Sequence, residues 1–358
     1  MRVAAVPAYR NRAVNPYTSL LYGAVENAGI SVKEFGAATL LGFAPDVVQI
    51  HWPEWLFSAP TLARARMQAR AFKMTITMLR ARGSRIVWTA HNLDGHAGHQ
   101  PLLERRMWNW FTTHIDGWIA LSQSAVDPVL QRYPWLASVP HTVVEHGHYR
   151  GVYPNAISRD AARDHLGIPR DARVLGFIGN ILPYKQVPLL AECFAQLAGD
   201  DLRLVIAGNA HSDQHDVISA VGDPRIIYHR GFVADAHLQH YHRAADRIVL
   251  PYREIQNSGS AILSLSFDVP VLVPNLGAMA ELADIAGHDW VRTYDGPLTP
   301  GLLADVLAHS PVANRPDISQ LDWPGLGQRT ASFFREVMAY PPQRKRERRR
   351  DHARRRRS

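Results

Sequence analysis

The chain has 358 residues, 46% of them apolar, which is enough for two domains of ordinary size and too much for a single small module. One cysteine, Cys193, excludes an intrachain disulfide and any Cys-based metal site. The net charge of +8 has a single source: residues 341–358, PPQRKRERRRDHARRRRS, hold ten of the 40 Lys/Arg but two of the 32 Asp/Glu, leaving a body with 30 of each.

A charge-neutral body argues against a nucleic-acid-binding protein, and no RNA- or DNA-binding motif stands out. The self-repelling tail is predicted to be disordered, and either binds anionic lipid or nucleic acid or merely keeps the chain soluble. No 18-residue uncharged apolar run occurs, and MRVAAVPAYRNRAV is too short and too basic for a signal segment. The chain is therefore expected in the cytoplasm without crossing a membrane.

In chain order, strands are predicted at 2–8, 47–51, 85–91, 117–122 and 141–147, with helices at about 16–28, 60–82, 101–114 and 123–133. A second series has strands at 174–179, 202–208, 226–231, 246–251 and 269–274. Its helices fall near 187–198, 213–220, 235–244, 259–267 and 277–283, with a late one at 324–339. Alternation of this kind implies α/β architecture with parallel sheets. The expected division is 1–160, 161–340 with the late helix closing the second domain, and the tail from 341.

Nearly every strand ends in a polar residue or glycine: His51, His91, Ser122, Gly147, Gly179, Gly208, Gly231. Ligands of open α/β sheets bind outside those carboxyl ends. After the strand ending at Pro251, the turn Asn257-Ser258-Gly259-Ser260 opens an apolar helix, and helix starts offer unpaired N–H groups to anions. Lys185 in GFIGNILPYK adds a cation beside a glycine turn. Either these residues hold a phosphate, or they are an ordinary cap and a solvated lysine.

Seven segments in order, NPYTSLLY, HWPEWL, HNLDGH, HGHYRGVY, PYK, LPYREIQNSG and DWPGLGQ, resemble the GT-B sugar-nucleotide glycosyltransferases. Within that class they are similar to the family of GDP-mannose:glycolipid 4-β-mannosyltransferases of xanthan assembly. The resemblance implies two Rossmann-like domains facing a central cleft, and an inverting, metal-independent transferase. Such an enzyme moves mannose from GDP-mannose to a lipid-diphosphate-linked oligosaccharide on the cytoplasmic membrane face, in exopolysaccharide synthesis. A sugar-nucleotide hydrolase or epimerase of the same fold is the alternative.

On this reading the donor side comprises Gly179, Tyr184, Lys185, Gly208, Asn209, Tyr252, Asn257, Ser258, Gly259, Ser260 and Glu281. Asn15, Tyr17, Trp52, Trp55, Asp94 and His148 are assigned to the acceptor. Retaining members carry two glutamates seven residues apart near the turn; Gln256 and Leu263 stand there instead. Inversion requires a base, and Glu54 between Trp52-Pro53 and Trp55 is the first candidate, because desolvation raises a carboxylate pKa. His51 and His91 are the rivals. The pattern His91-x2-Asp94-x-His96 lacks helical ligand spacing, so no metal site is expected. Residues 60–82 mix six Lys/Arg with apolar residues and no acid, so this helix either packs on the core or also meets an anionic bilayer.

Overall fold

The computed structural model describes residues 1–36, 39, 42, 44–93, 99–210, 212–309 and 314–341; Asp94, His96 and the basic residues of the tail lie outside them. The chain forms two compact units, residues 1–147 with the segment from Leu321, and residues 148–320.

The first unit runs β1 (Arg2–Val6), α1 (Tyr17–Asn27), β2 (Ser31–Glu34), β3 (Val47–Ile50), α2 (Leu62–Ala81), β4 (Arg85–Ala90), α3 (Pro101–Thr112), β5 (Gly117–Ala120), α4 (Val126–Arg132) and β6 (His141–Val143). All six strands are parallel in the order 2-1-3-4-5-6, with Val3 opposite Val47 and Val87 opposite Gly117. VVQI and GWIA are buried along their whole length, as expected of parallel strands covered on both faces. One face packs Trp88, Trp108, Phe111 and Trp118 with Phe72, Ile76 and Leu79 of α2.

The second unit continues with α5 (Arg159–Leu166), β7 (Arg173–Ile178), α6 (Val187–Ala195), β8 (Leu202–Gly208), α7 (Ser212–Ala220), β9 (Ile226–Arg230), α8 (Leu238–Ala244), β10 (Arg247–Val249), α9 (Gly259–Ser266), β11 (Val271–Pro274), α10 (Met279–Ala286), β12 (Val291–Tyr294) and α11 (Pro300–Ala308). Its sheet order, 12-11-10-7-8-9, is the Rossmann order 6-5-4-1-2-3. The expected α/β class with two Rossmann-like parallel sheets is thus observed. The strand order reverses between β1 and β3 in the first sheet and between β7 and β10 in the second, and each reversal opens a crevice at the carboxyl edge.

Two domain expectations are corrected. The division falls after Gly147 because residues 148–166 are tied to the second unit: Tyr149 N–H donates to Ser266 Oγ (2.9 Å), Arg150 pairs with Asp268 (3.0 Å), and fully buried Arg163 pairs with Asp246 (3.0 Å). The late helix, α12 (Trp323–Ala339), packs on α1 of the first unit, where Leu326, Phe333, Phe334 and Val337 complete the second face of the core. Gly327 permits this approach, since a Cβ there would lie 2.5 Å from the Ala24 backbone.

Candidate active site

At the reversal of the first sheet, β3 delivers His51 and β4 delivers His91, with His51 Nδ1 and His91 Nε2 2.9 Å apart. The hydrogen-bond order follows from their neighbours. Gln49 Nε2 donates to Thr89 Oγ1 (2.7 Å), so Tyr22 Oη–H donates to Gln49 Oε1 (2.7 Å) and accepts from His51 Nε2 (2.7 Å). His51 Nδ1 then accepts from His91 Nε2–H, which leaves the lone pair of the neutral His91 on Nδ1. Burial lowers the His51 pKa to about 3 and holds His91 well below 6.5, where the neighbouring His51 and His146 further disfavour its charge. Both imidazoles are neutral near pH 7.

Aromatic rings fix this pair. The Tyr17 ring lies 5.9 Å from His51, 5.3 Å from His91, 4.5 Å from His146 and 5.8 Å from Trp323. Trp52 stacks on His91 at 4.3 Å and on Trp55 at 5.0 Å, and Trp55 is largely exposed. Asn15 Oδ1 accepts the Tyr17 N–H (3.0 Å), so its side chain sets the start of α1. Glu54 sits on the 3-10 turn Pro53–Leu56; desolvation raises its pKa to about 7, with a smaller contribution from the Glu104 charge. No hydrogen bond joins Glu54 to the histidine pair among the described residues. His148 begins the second unit, where its Nδ1 accepts the Arg150 N–H (3.1 Å).

At the reversal of the second sheet the chemistry is different. Gly179 follows β7 at φ +138°, and its carbonyl would be 1.8 Å from a Cβ on Gly208, so Gly208 must lack a side chain for the two strand ends to meet. Asn209 is exposed and its carbonyl accepts the Ile181 N–H (2.8 Å). A Cβ on Gly179 would lie 3.6 Å from Ser260 Oγ and 3.8 Å from Lys185 Nζ, which places a hydroxyl and an ammonium around one small space. Lys185 is buried, its pKa lowered by desolvation, with Nζ 5.5 Å from the Tyr252 ring. Tyr184 meets Tyr252 edge-on at 6.0 Å, and the Ser260 and Ser258 hydroxyls lie beside the Tyr252 hydroxyl.

Ser258 is the N-cap of α9, its Oγ accepting the Ala261 N–H (3.0 Å). The Gly259 and Ser260 N–H groups belong to the first turn, which has no intrahelical acceptors. Buried Asn257 Nδ2 also has no hydrogen-bond partner among the described residues. The edge is thus a concentration of donors with one cation. Glu281 lies in the first turn of α10.

Of the residues singled out from sequence, the fold sets Tyr17, His51, Trp52, Trp55 and His91 side by side, and Lys185 near the 257–260 turn. Sequence reasoning missed Tyr22, Gln49, Thr89 and Trp323. Gln49 in the otherwise apolar VVQI carries the signal, because a buried polar residue inside a strand requires partners. Asp94 lies outside the described residues, and among those described no group of three His, Cys, Asp or Glu is placed to hold a metal.

A family model for group 1 glycosyl transferases matches residues 172–299. The chain is 31% identical over 324 residues to the GDP-mannose:glycolipid 4-β-D-mannosyltransferase of Xanthomonas campestris pv. campestris, covering 89% of this chain and 87% of that one. Among solved structures it resembles a sucrose-phosphate synthase of Thermosynechococcus elongatus (TM-score 0.62, 14% identity, 94% and 95% of the two chains). It also resembles Anabaena HepE in complex with UDP and glucose (TM-score 0.60, 13% identity, 94% and 97%). With whole-chain likeness to the Xanthomonas protein and a group 1 match over the second sheet, this chain belongs to the group 1 glycosyltransferases of GT-B fold and is a glycosyltransferase.

Proposed function

We propose that the enzyme is an inverting mannosyltransferase that uses GDP-mannose, without a metal, to extend a lipid-diphosphate-linked oligosaccharide in exopolysaccharide synthesis. The observation that carries the reading is the likeness to a GDP-mannose:glycolipid mannosyltransferase over 87% of that relative's length. The donor-rich edge of the second sheet supports it. The N–H groups of the 257–260 turn, Asn257 Nδ2 and Lys185 suit the two phosphates of a nucleoside diphosphate and the charge that develops when it leaves.

In the reaction an acceptor oxygen bonds to the anomeric carbon as that carbon's bond to the phosphate oxygen breaks. The hydroxyl proton passes to a base, and the electron pair leaves on the diphosphate. Glu54 suits the base, because its pKa near 7 matches the working pH, whereas the depressed pKa of His91 makes a weak proton acceptor. The histidine pair and the Trp52–Trp55 stack then bind and orient acceptor sugar.

The site of action is the cytoplasmic membrane face, reached without a spanning helix; no helix among the described residues is long and apolar enough to cross a bilayer. Helix α2 has two apolar faces. Ala65, Ala69, Phe72, Ile76 and Leu79 are buried, while Met67 and Met74 on the opposite side are 64% and 72% exposed. Arg64, Arg66 and Arg70 flank them and pair with no carboxylate among the described residues, so this outer face suits an anionic bilayer surface.

Thermal shifts with GDP, UDP, ADP and their sugar conjugates test the reading. GDP and GDP-mannose are expected to stabilise the protein. Stabilisation by UDP alone would exclude mannose transfer from GDP-mannose, and no response to any nucleotide would refute the donor site. Full-rate hydrolysis of GDP-mannose with no acceptor would favour a hydrolase.

A further inference from the structure

The first unit contains an apolar groove of about 210 Å³ that the reaction chemistry leaves unused. Its walls include Val6 and Ile50, the last residues of β1 and β3, and Leu56 of the turn that carries Glu54. Gln68, Ala71 and Thr75 of α2 form the other side. Ile50 is adjacent to His51 in the chain, and Leu56 to Trp55, so the groove starts within about 4 Å of backbone from the acceptor-orienting cluster.

Three features indicate what it holds. The lining is almost wholly hydrocarbon, which favours an apolar chain over a sugar or a nucleotide. Arg64 precedes Gln68, Ala71 and Thr75 by four, seven and eleven residues and therefore lies on the same stripe of α2, one turn beyond the groove. Its guanidinium is suited to an anionic head group, and α2 carries no acid to oppose it. Gln68 Oε1, a buried polar atom of the lining with no hydrogen-bond partner among the described residues, sits at this same end, one turn from Arg64.

We infer that this groove receives the apolar chain of the lipid-linked acceptor next to its phosphate, with Arg64 on the phosphate and the sugar end directed to Trp52 and Trp55. The inference rests on the acceptor class proposed above and adds the site that reads it. The outer face of α2 meets the bilayer surface; the groove takes one chain out of it. A groove of this size accommodates only a short branched segment, so the enzyme recognises the chain near the phosphate and leaves the remainder in the bilayer.

Farnesyl phosphate, an isoprenoid chain with one phosphate, is the probe, titrated calorimetrically against the full chain. The wild type binds it, Ala71→Trp weakens binding at least tenfold by filling the groove, and Arg64→Glu weakens it severalfold. Ala71→Trp retains sedimentation with phosphatidylglycerol–phosphatidylcholine vesicles, whereas Met67→Asp with Met74→Asp loses it. Absence of farnesyl phosphate binding, binding unaffected by Ala71→Trp, or equal loss of probe and vesicle binding in that variant overturns the groove. If Ala71→Trp does not fold, protection of Ala71→Cys from maleimide by farnesyl phosphate reads the same contact, because Cys193 is buried; full labelling in its presence overturns the inference. GDP-mannose stabilisation measured on the same protein keeps the two readings separate: failure of farnesyl phosphate with GDP-mannose bound removes the groove alone.

Discussion

The carboxyl edges of the two sheets occupy equivalent topological positions and carry opposite chemistry. The first is crowded with rings: two neutral histidines bonded to each other, a tyrosine among four aromatic neighbours, two stacked tryptophans and a carboxyl group whose proton leaves near pH 7. The second is built from glycines, serines and one buried lysine, with N–H and hydroxyl donors in place of rings. Rings and a tuned carboxyl suit a sugar acceptor and its proton; small donors and a cation suit phosphate. A strand order that reverses once opens a crevice, and the residues at the strand ends decide what it binds.

The sharpest way to break the contrast is to remove the tuned carboxyl. Glu54→Gln is expected to lower kcat by about 10²–10⁴-fold and to abolish the rise of kcat/KM with pH through about 7, because only the deprotonated carboxylate accepts the proton. A pH–rate profile checks it, and an unchanged profile would return the role to His91. On the other edge, Lys185→Met is expected to cost about 10²–10³-fold in kcat/KM through lost stabilisation of the departing diphosphate. The same variant should leave the Glu54 pH limb in place.

Smaller effects probe the histidine pair. Tyr22→Phe leaves His51 Nε2 and Gln49 Oε1 buried without a partner, with an expected cost of about 1–3 kcal/mol in chemical denaturation. Acid stability provides the finest test. His51, His146 and His242 are buried neutral with folded pKa values of about 3, 4 and 4, below their unfolded value of 6.5. In that window the unfolded chain binds more protons, so stability is full above pH 6.5 and falls with pH by about 1.4 kcal/mol per unit for each such histidine. Glu54, raised from 4.5 to about 7, acts oppositely and loses stability as pH rises through that range. Thermal melts between pH 4 and 7.5 should therefore show a net loss on acidification that His51→Gln reduces.

Much of this contrast was legible in the sequence. Every strand read from an apolar run was found, because strands buried on both faces leave Val/Ile/Leu-rich stretches such as VVQI and LRLVIAG. The missed strands, SVKE and VRTY, are edge strands in which polar residues interrupt the run; of the two missed helices, Arg159–Leu166 is mostly polar, and Pro300–Ala308 opens on a Pro-Gly pair that reads as a turn. The membership of α12 was not readable, since an amphipathic pattern tells that a face is buried but not against which core. At the first site, Tyr22 and Trp323 lie inside the segments NPYTSLLY and DWPGLGQ yet were not singled out, and Gln49 and Thr89 lie in strands outside any motif. Tyr22 and Thr89 look like ordinary core residues until the fold sets them beside Gln49 and His51.

The division of labour is tested most directly by titrating GDP calorimetrically against Glu54→Gln and Lys185→Met in parallel. The account predicts wild-type GDP affinity for Glu54→Gln and a loss of at least about tenfold for Lys185→Met, the order of one charge-assisted contact. Weakened GDP binding in Glu54→Gln with full affinity in Lys185→Met would contradict it.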